Sequence, residues 1–241
     1  MPHSNSCSRK PHAVPRGQRR FARGLSLLEV LVSIVVVSVG ALSATSMQLL
    51  SKRNNWEATQ RLLATHLANT LAERMRADNS PELLAEYVAT AGTTVGMGRV
   101  ADALGISCDE GDPMCCPESD NAASCCLAED DACTPQQVAR VVLWQWEQML
   151  DGIMEQNPDG TGSAGGLDRP TACVASEGTA GTAGFYTVTI AFRGTLAMTD
   201  NVAVDCGRNA AFGDGTKLYG DNNEYRRTLT VPAYIKPTVS K

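Results

Sequence analysis

The sequence predicts an α+β fold: a long N-terminal helix, membrane-spanning over its apolar first half, packs its second half on a C-terminal antiparallel β-sheet. Three observations predict it. Val30 to Leu50 is 21 residues without a charge, about the 20 that a helix needs to cross a bilayer core. Leu63, Leu67, Leu71 and Met75 then recur at four-residue spacing, with no Gly or Pro between Lys52 and Asp78. That is the pattern of a helix lying on a core. Near the C-terminus Tyr186, Val188, Ile190 and Phe192 alternate with Thr187, Thr189, Ala191 and Arg193, and Tyr225, Leu229, Val231, Ala233 and Ile235 repeat the alternation. A period of two marks half-buried strands.

The first element carries its own topology signal. Arg16, Arg19, Arg20 and Arg23 precede the apolar run, and Lys52 and Arg53 follow it. By the positive-inside bias the upstream cluster stays cytoplasmic and everything after Leu50 goes outside. Glu29 is the one charge between Leu25 and Ser51. A carboxylate there costs about 2.5 to 3.5 kcal/mol on insertion scales, which asks for a functional partner. From the residues alone, a plain signal anchor with Glu29 at the headgroups fits as well. A cleaved secretory signal fits less well, because its apolar region is shorter and ends in an A-x-A-like site. A continuous helix from Leu25 to Asp78 would be roughly 80 Å long at 1.5 Å per residue. Gly40 is its weak point, at about 1 kcal/mol against alanine. Trp56, Leu62, Ala64 and Ala68 widen the apolar stripe of its second half.

Gly24-Leu25-Ser26-Leu27-Leu28-Glu29, after a basic leader and before an uninterrupted apolar helix, resembles the class III signal of type IV pilins. The resemblance implies a prepilin peptidase cutting after Gly24 and N-methylation of the new N-terminus at Leu25. It implies Glu29 as the carboxylate that meets the terminal amine of a neighbouring subunit during assembly. Leu25 stands where phenylalanine is usual, and the 24-residue leader is long for a pilin. A buried carboxylate needs a cation, and an amine on the next subunit supplies one.

Composition agrees with one anchor helix and one modest domain. The chain has 241 residues, 43% hydrophobic but only 5% aromatic, so its core must be mainly aliphatic. Residues 1–24 hold six basic side chains and no acidic one, so their removal would take the formal net charge from −5 to −11. An acidic outer domain excludes nucleic acid as its partner, since phosphate contact needs a positive footprint.

Arg53-Asn54-Asn55 and the helix end Glu73-Arg74-Met75-Arg76-Ala77-Asp78 are similar to the PilV family, the type IV pilus modification proteins. Read without that likeness, the helix end is a solvated surface with charge pairs such as Glu73 with Arg76, each worth tenths of a kcal/mol. Ser80-Pro81-Glu82 starts a second, short helix with serine as cap and proline in the first turn, fading by Ala89. Cys108, Cys115, Cys116, Cys125, Cys126 and Cys133 follow in an acidic loop with Gly111, Pro113 and Pro117. Six cysteines allow fifteen connectivities, and the sequence does not choose among them. No histidine is near and the spacing is not CxxC…CxxC, so disulfides in an oxidising compartment are expected over a metal or redox site.

Thr134-Pro135-Gln136-Gln137 is a capping box for a helix with Val138, Val142, Trp146 and Met149 on one face and Gly152 at its end. Trp144 and Trp146 are read as packing residues. Asn157, Asp159 and Thr161 are only faintly like a calcium loop, because the later acidic ligand is missing. Pro232 marks the last strand as an edge or its end. Cys173, the strand that follows, Cys206 and the last strand resemble the C-terminal sheet of PilV-like proteins. The likeness thus covers most of residues 22–241, with Cys108–Cys133 as an insertion. A Cys173–Cys206 bond within that pattern would close a loop of about 33 residues, worth roughly 3 to 4 kcal/mol on the chain-entropy model.

There is no G-x-S-x-G, no H-E-x-x-H and no phosphate-cradling glycine loop ahead of a helix. His66 is the only histidine past the leader and is expected at the helix surface. The expectation is a structural protein, without enzyme activity, cofactor or metal. Its segments are a leader (1–24), a transmembrane and assembly half-helix (25–51) and a periplasmic domain (52–241). The resemblance implies a minor pilin that starts in the inner membrane and ends in a pilus at the cell surface. It implies as partners other minor and major pilins, the prepilin peptidase, the inner-membrane assembly platform and a tip adhesin. A minor pseudopilin of a type II secretion system shares the signal and stays open. A bitopic anchored binding domain would keep its leader, and a periplasmic thiol or metal enzyme would need free cysteines.

Overall fold

The computed structural model describes residues 26–92, 95–97, 99–100, 134–153, 155 and 165–238. Helix α1 runs Leu27–Ala77. Contacts divide the chain within it into two units, residues 1–49 and 50–241.

In the first unit the described residues form helix from Leu27 onward, and every one is exposed. Leu27, Leu31, Ile34, Val37 and Leu42 are among a shell of apolar side chains pointing outward in all directions. Such a helix is stable only where its surroundings are apolar. Gly40 does not break it: the helix runs on through that position, where a Cβ would meet open space.

In the second unit, the later part of α1 buries Gln60, Ala64, Leu67, Ala68, Leu71, Ala72 and Met75, a stripe at 3.6-residue spacing. Trp56 is 49% exposed and Leu62 is 72% exposed, so neither belongs to it. Leu62 lies about 100° round the helix from Leu63. Trp56 comes one turn before Gln60, where packing begins. Helix α2, Pro81–Ala91, is capped by Ser80, whose side chain accepts from Leu83 N at 3.3 Å. It buries Leu83, Leu84, Tyr87 and Ala91. Helix α3, Pro135–Asp151, has the capping box: Thr134 N donates to Gln137 Oε1 at 2.9 Å and Gln137 N to Thr134 Oγ1 at 3.3 Å. It ends at Gly152 with φ 70°. Its buried face is centred on Ala139, Val142, Leu143, Trp146 and Leu150, with Val138 and Met149 at the margins.

Three antiparallel strands in the order β1-β2-β3 complete the unit: β1 Thr171–Ser176, β2 Gly184–Arg193 and β3 Arg226–Ile235. Val174, Val188, Ile190, Phe192, Ala233 and Ile235 share one core with the three helices. β1 was not marked by alternation, because TACVAS is short and buried on both faces over its first four residues. The outer face of β2 is also covered at one end. Ala191 packs there with Leu218 and Tyr219, beside Met97, Ala210 and Phe212. The chain between β2 and β3 folds back over the sheet to do this.

β3 is an edge strand, as Pro232 indicated. Gly194 N donates to Tyr225 O and Glu177 N to Phe185 O, so even-numbered residues of β2 turn their backbone groups towards β3. Opposite them, with Val188 paired to Val231, odd-numbered β3 residues face back. The nitrogen of Pro232 therefore points to the free edge, where no ladder bond is lost.

Candidate processing and assembly site

Glu29 is the third residue of α1, and its backbone N–H donates to Ser26 O at 2.9 Å. A carboxylate in the first turn is favoured by the positive end of the helix dipole. Among the described residues none pairs with that carboxylate. It stands at the head of an apolar surface with no packing partner of its own.

The serine and threonine hydroxyls inside the run are satisfied within the helix. Ser33 Oγ donates to Glu29 O at 2.7 Å, Ser38 Oγ to Ile34 O at 2.7 Å and Ser43 Oγ to Val39 O at 3.0 Å. Thr45 and Ser46 both donate to Leu42 O at 2.9 Å. Back-bonded hydroxyls do not need water, which lets them enter hydrocarbon without being stranded. By length and composition this helix is able to cross a membrane. The Glu29 carboxylate is then the one charged group in the segment left to seek a partner.

Residues 19–45 match the family model of the prokaryotic N-terminal methylation motif. The chain has a prepilin-type N-terminus. That motif is similar to the processed start of pilins and pseudopilins alike, and with the single apolar helix it fits inner-membrane anchoring. No curated protein and no solved structure matched the chain.

Gly24 and Leu25, the expected cleavage pair, lie outside the described residues, as do Cys108, Cys115, Cys116, Cys125, Cys126 and Cys133. Cys173 and Cys206 are disulfide-bonded, with Cα atoms 5.8 Å apart. The bond ties β1 to the chain that folds over the sheet. His66 is exposed on α1. Among the described residues no group of three or more His, Cys, Asp or Glu could hold a metal. Trp146 is buried and donates from Nε1 to Leu67 O at 3.0 Å, which fixes α3 on α1.

Several structural polar residues gave no clear signal in the sequence. Gln60 is buried, donates to Gly166 O at 3.2 Å and accepts from Asp168 N at 2.8 Å. Glu147 is buried on α3 and accepts from Gly96 N at 2.8 Å and Val100 N at 3.0 Å. Arg226 and Arg227, adjacent on β3, point to opposite faces. Arg226 pairs with Asp200 and Arg227 with Glu57, each at 2.8 Å. The alternation of a strand is the signal that could have found the last two. Burial raises the hydroxyl pKa of Tyr87 and of Tyr219 above the ordinary tyrosine value.

Proposed function

We infer that the chain is a minor pilin of the PilV type, made as an inner-membrane precursor and then taken into a type IV pilus. The observation that carries this reading is the methylation motif at residues 19–45 leading into an exposed apolar helix with Glu29 in its first turn. A prepilin peptidase cuts between Gly24 and Leu25, and Leu25 becomes the N-methylated terminus. Residues after Leu50 face the periplasm, where disulfides form. Inside the fibre, apolar helices pack on one another and Glu29 meets a neighbour's terminal amine. Major and minor pilins, the assembly platform and a tip adhesin are the partners, and the role is structural, with no catalytic step and no cofactor.

Two measurements test it. Mass spectrometry of membrane-extracted protein should find a chain starting at N-methyl-Leu25, and an intact leader in wild-type cells rejects processing. Deletion of the gene should reduce surface pili. Normal pili with failed protein secretion would assign the chain to a type II pseudopilus instead.

A further inference from the structure

The sheet has two distinguishable ends relative to α1. At one end Asn79 Nδ2, just past the helix, donates to Lys236 O at 3.1 Å. At the other, Arg227 Nε is 2.8 Å from Glu57 Oε1, and Gln60 accepts from Asp168 N at 2.8 Å while Arg193 N donates to Asp168 O at 2.8 Å. That second end lies beside the part of α1 reached soon after Leu50, where the uncharged run stops. Glu57 is seven residues beyond Leu50, or about 10 Å along a helix.

Residues 194–206 cross this end, and their backbone is firmly held. Gly194 N donates to Tyr225 O and Met198 N to Glu224 O, each at 2.7 Å. Arg227 donates to Leu196 O, and Arg226 Nη2 donates to Asn201 O at 2.8 Å. Yet the apolar side chains of this anchored segment face outward: Leu196 is 43% exposed, Met198 55% and Val202 68%. Residues 194–199, GTLAMT, carry no charge. Asp200 at their end is neutralised by Arg226 and Arg208, at 2.8 and 3.6 Å. Exposed Lys52, Arg53 and Trp56 stand on α1 before Glu57, a basic pair and an aromatic of the kind found at the headgroup level.

The geometry points to a phospholipid surface as the partner of this end: Leu196, Met198 and Val202 enter the interfacial layer while Lys52 and Arg53 meet headgroup phosphates. The inference rests on the reading of Val30–Leu50 as a membrane span. Headgroups add several Å beyond the hydrocarbon on each side of a bilayer. The basic pair belongs to this end of an otherwise acidic domain, so an anionic surface attracts this end and repels the rest.

The test uses the full chain in vesicles of phosphatidylethanolamine and phosphatidylglycerol, with a photo-crosslinking amino acid placed at Met198 or, as control, at Tyr234 near the opposite end of β3. Lipid adducts are expected at 198 and not at 234, and they should fall with Lys52→Gln plus Arg53→Gln. A Cys173–Cys206-linked peptide in each sample shows that the unit is folded. If the chain resists carbonate extraction but position 198 labels no more lipid than 234, the surface contact is wrong and the span stands. Adducts from 198 to a second copy of the chain overturn it equally, in favour of a contact between subunits. If the chain is extracted by carbonate, the span itself is wrong.

Discussion

The guanidinium of Arg227, on β3, meets the carboxylate of Glu57, on α1, with Nε 2.8 Å from Oε1 and both side chains largely withdrawn from water. The same guanidinium donates to Leu196 O. One ion pair thus joins the helix, the edge strand and the loop at that end of the sheet.

Glu57→Ala should therefore cost far more than a surface ion pair. Removing one partner leaves the other buried and charged, a penalty of about 3 to 5 kcal/mol. Glu57 also lies 3.6 Å from the exposed Arg61, but that contact is worth little in water. Urea unfolding followed by tryptophan fluorescence reads the difference. A loss under about 1 kcal/mol would mean the pair behaves as an exposed one. Arg227→Met together with Glu57→Leu should restore much of the loss, since an apolar replacement of both removes the desolvation term.

The two buried tyrosines should respond differently to losing their hydroxyls. The Tyr219 hydroxyl bonds Thr171 Oγ1 and lies 2.8 Å from Arg169 O. Tyr219→Phe strands buried acceptors and should cost about 1 to 3 kcal/mol. The Tyr87 hydroxyl is buried without a hydrogen-bond partner among the described residues, so Tyr87→Phe should be neutral or stabilising. Alkaline pH extends the test. Burial raises both tyrosines, so the folded chain holds protons that the unfolded chain releases above about pH 10. Stability then falls with rising pH by up to about 1.4 kcal/mol per unit for each tyrosine. Either Phe variant should flatten that decline; equal slopes in wild type and variants would show that neither tyrosine titrates abnormally.

How much of this was legible depends on whether the cause is local. Thr134, Gln137 and Gly152 bracket α3 correctly, because caps are decided by backbone groups within one turn. Pro232 revealed an edge strand for the same kind of reason. Glu29 could be singled out because a lone charge in an apolar run is visible along the chain itself. β1 was not legible, since TACVAS owes its burial to the helices and the crossing loop and not to its own pattern. Trp56 and Leu62 look like core in a list of apolar residues, but the helix surface on which they fall has nothing packed against it. Glu147, Arg226 and Arg227 owe their burial to partners distant in sequence, which no local pattern marks. Cys173 and Cys206 were paired through the family likeness, not by any rule of spacing.

Reducing the Cys173–Cys206 bond should weaken the unit without abolishing its sheet. The bond closes a loop of 33 residues, worth about 3 to 4 kcal/mol by the chain-entropy model. The β1–β2 register over six residue pairs does not depend on it. Cys173→Ala with Cys206→Ala should lower the urea midpoint while far-UV circular dichroism stays that of an α+β protein. Loss of the β signal together with the midpoint would mean that the bond is needed to form the sheet at all.

Glu29→Ala should spare folding and insertion and damage assembly. Position 29 contributes nothing to the core built from Gln60 onward, so the disulfide-linked unit should form normally. Losing the carboxylate removes a dipole interaction of about 0.3 to 1 kcal/mol at the helix start. It also removes the larger cost of placing a charge in the membrane, about 2.5 to 3.5 kcal/mol. Net insertion should therefore be equal or slightly better. If Glu29 meets a neighbour's terminal amine in the fibre as proposed, the balance reverses there, because that amine is left buried without its anion, at about 3 to 5 kcal/mol. Glu29→Gln separates charge from shape: it keeps the side-chain volume and should fail in the same way. The measurement compares membrane level, leader removal and the amount of each variant in sheared pili. Equal incorporation of wild type and both variants would leave Glu29 as an anchor residue near the headgroups, with no part in joining subunits.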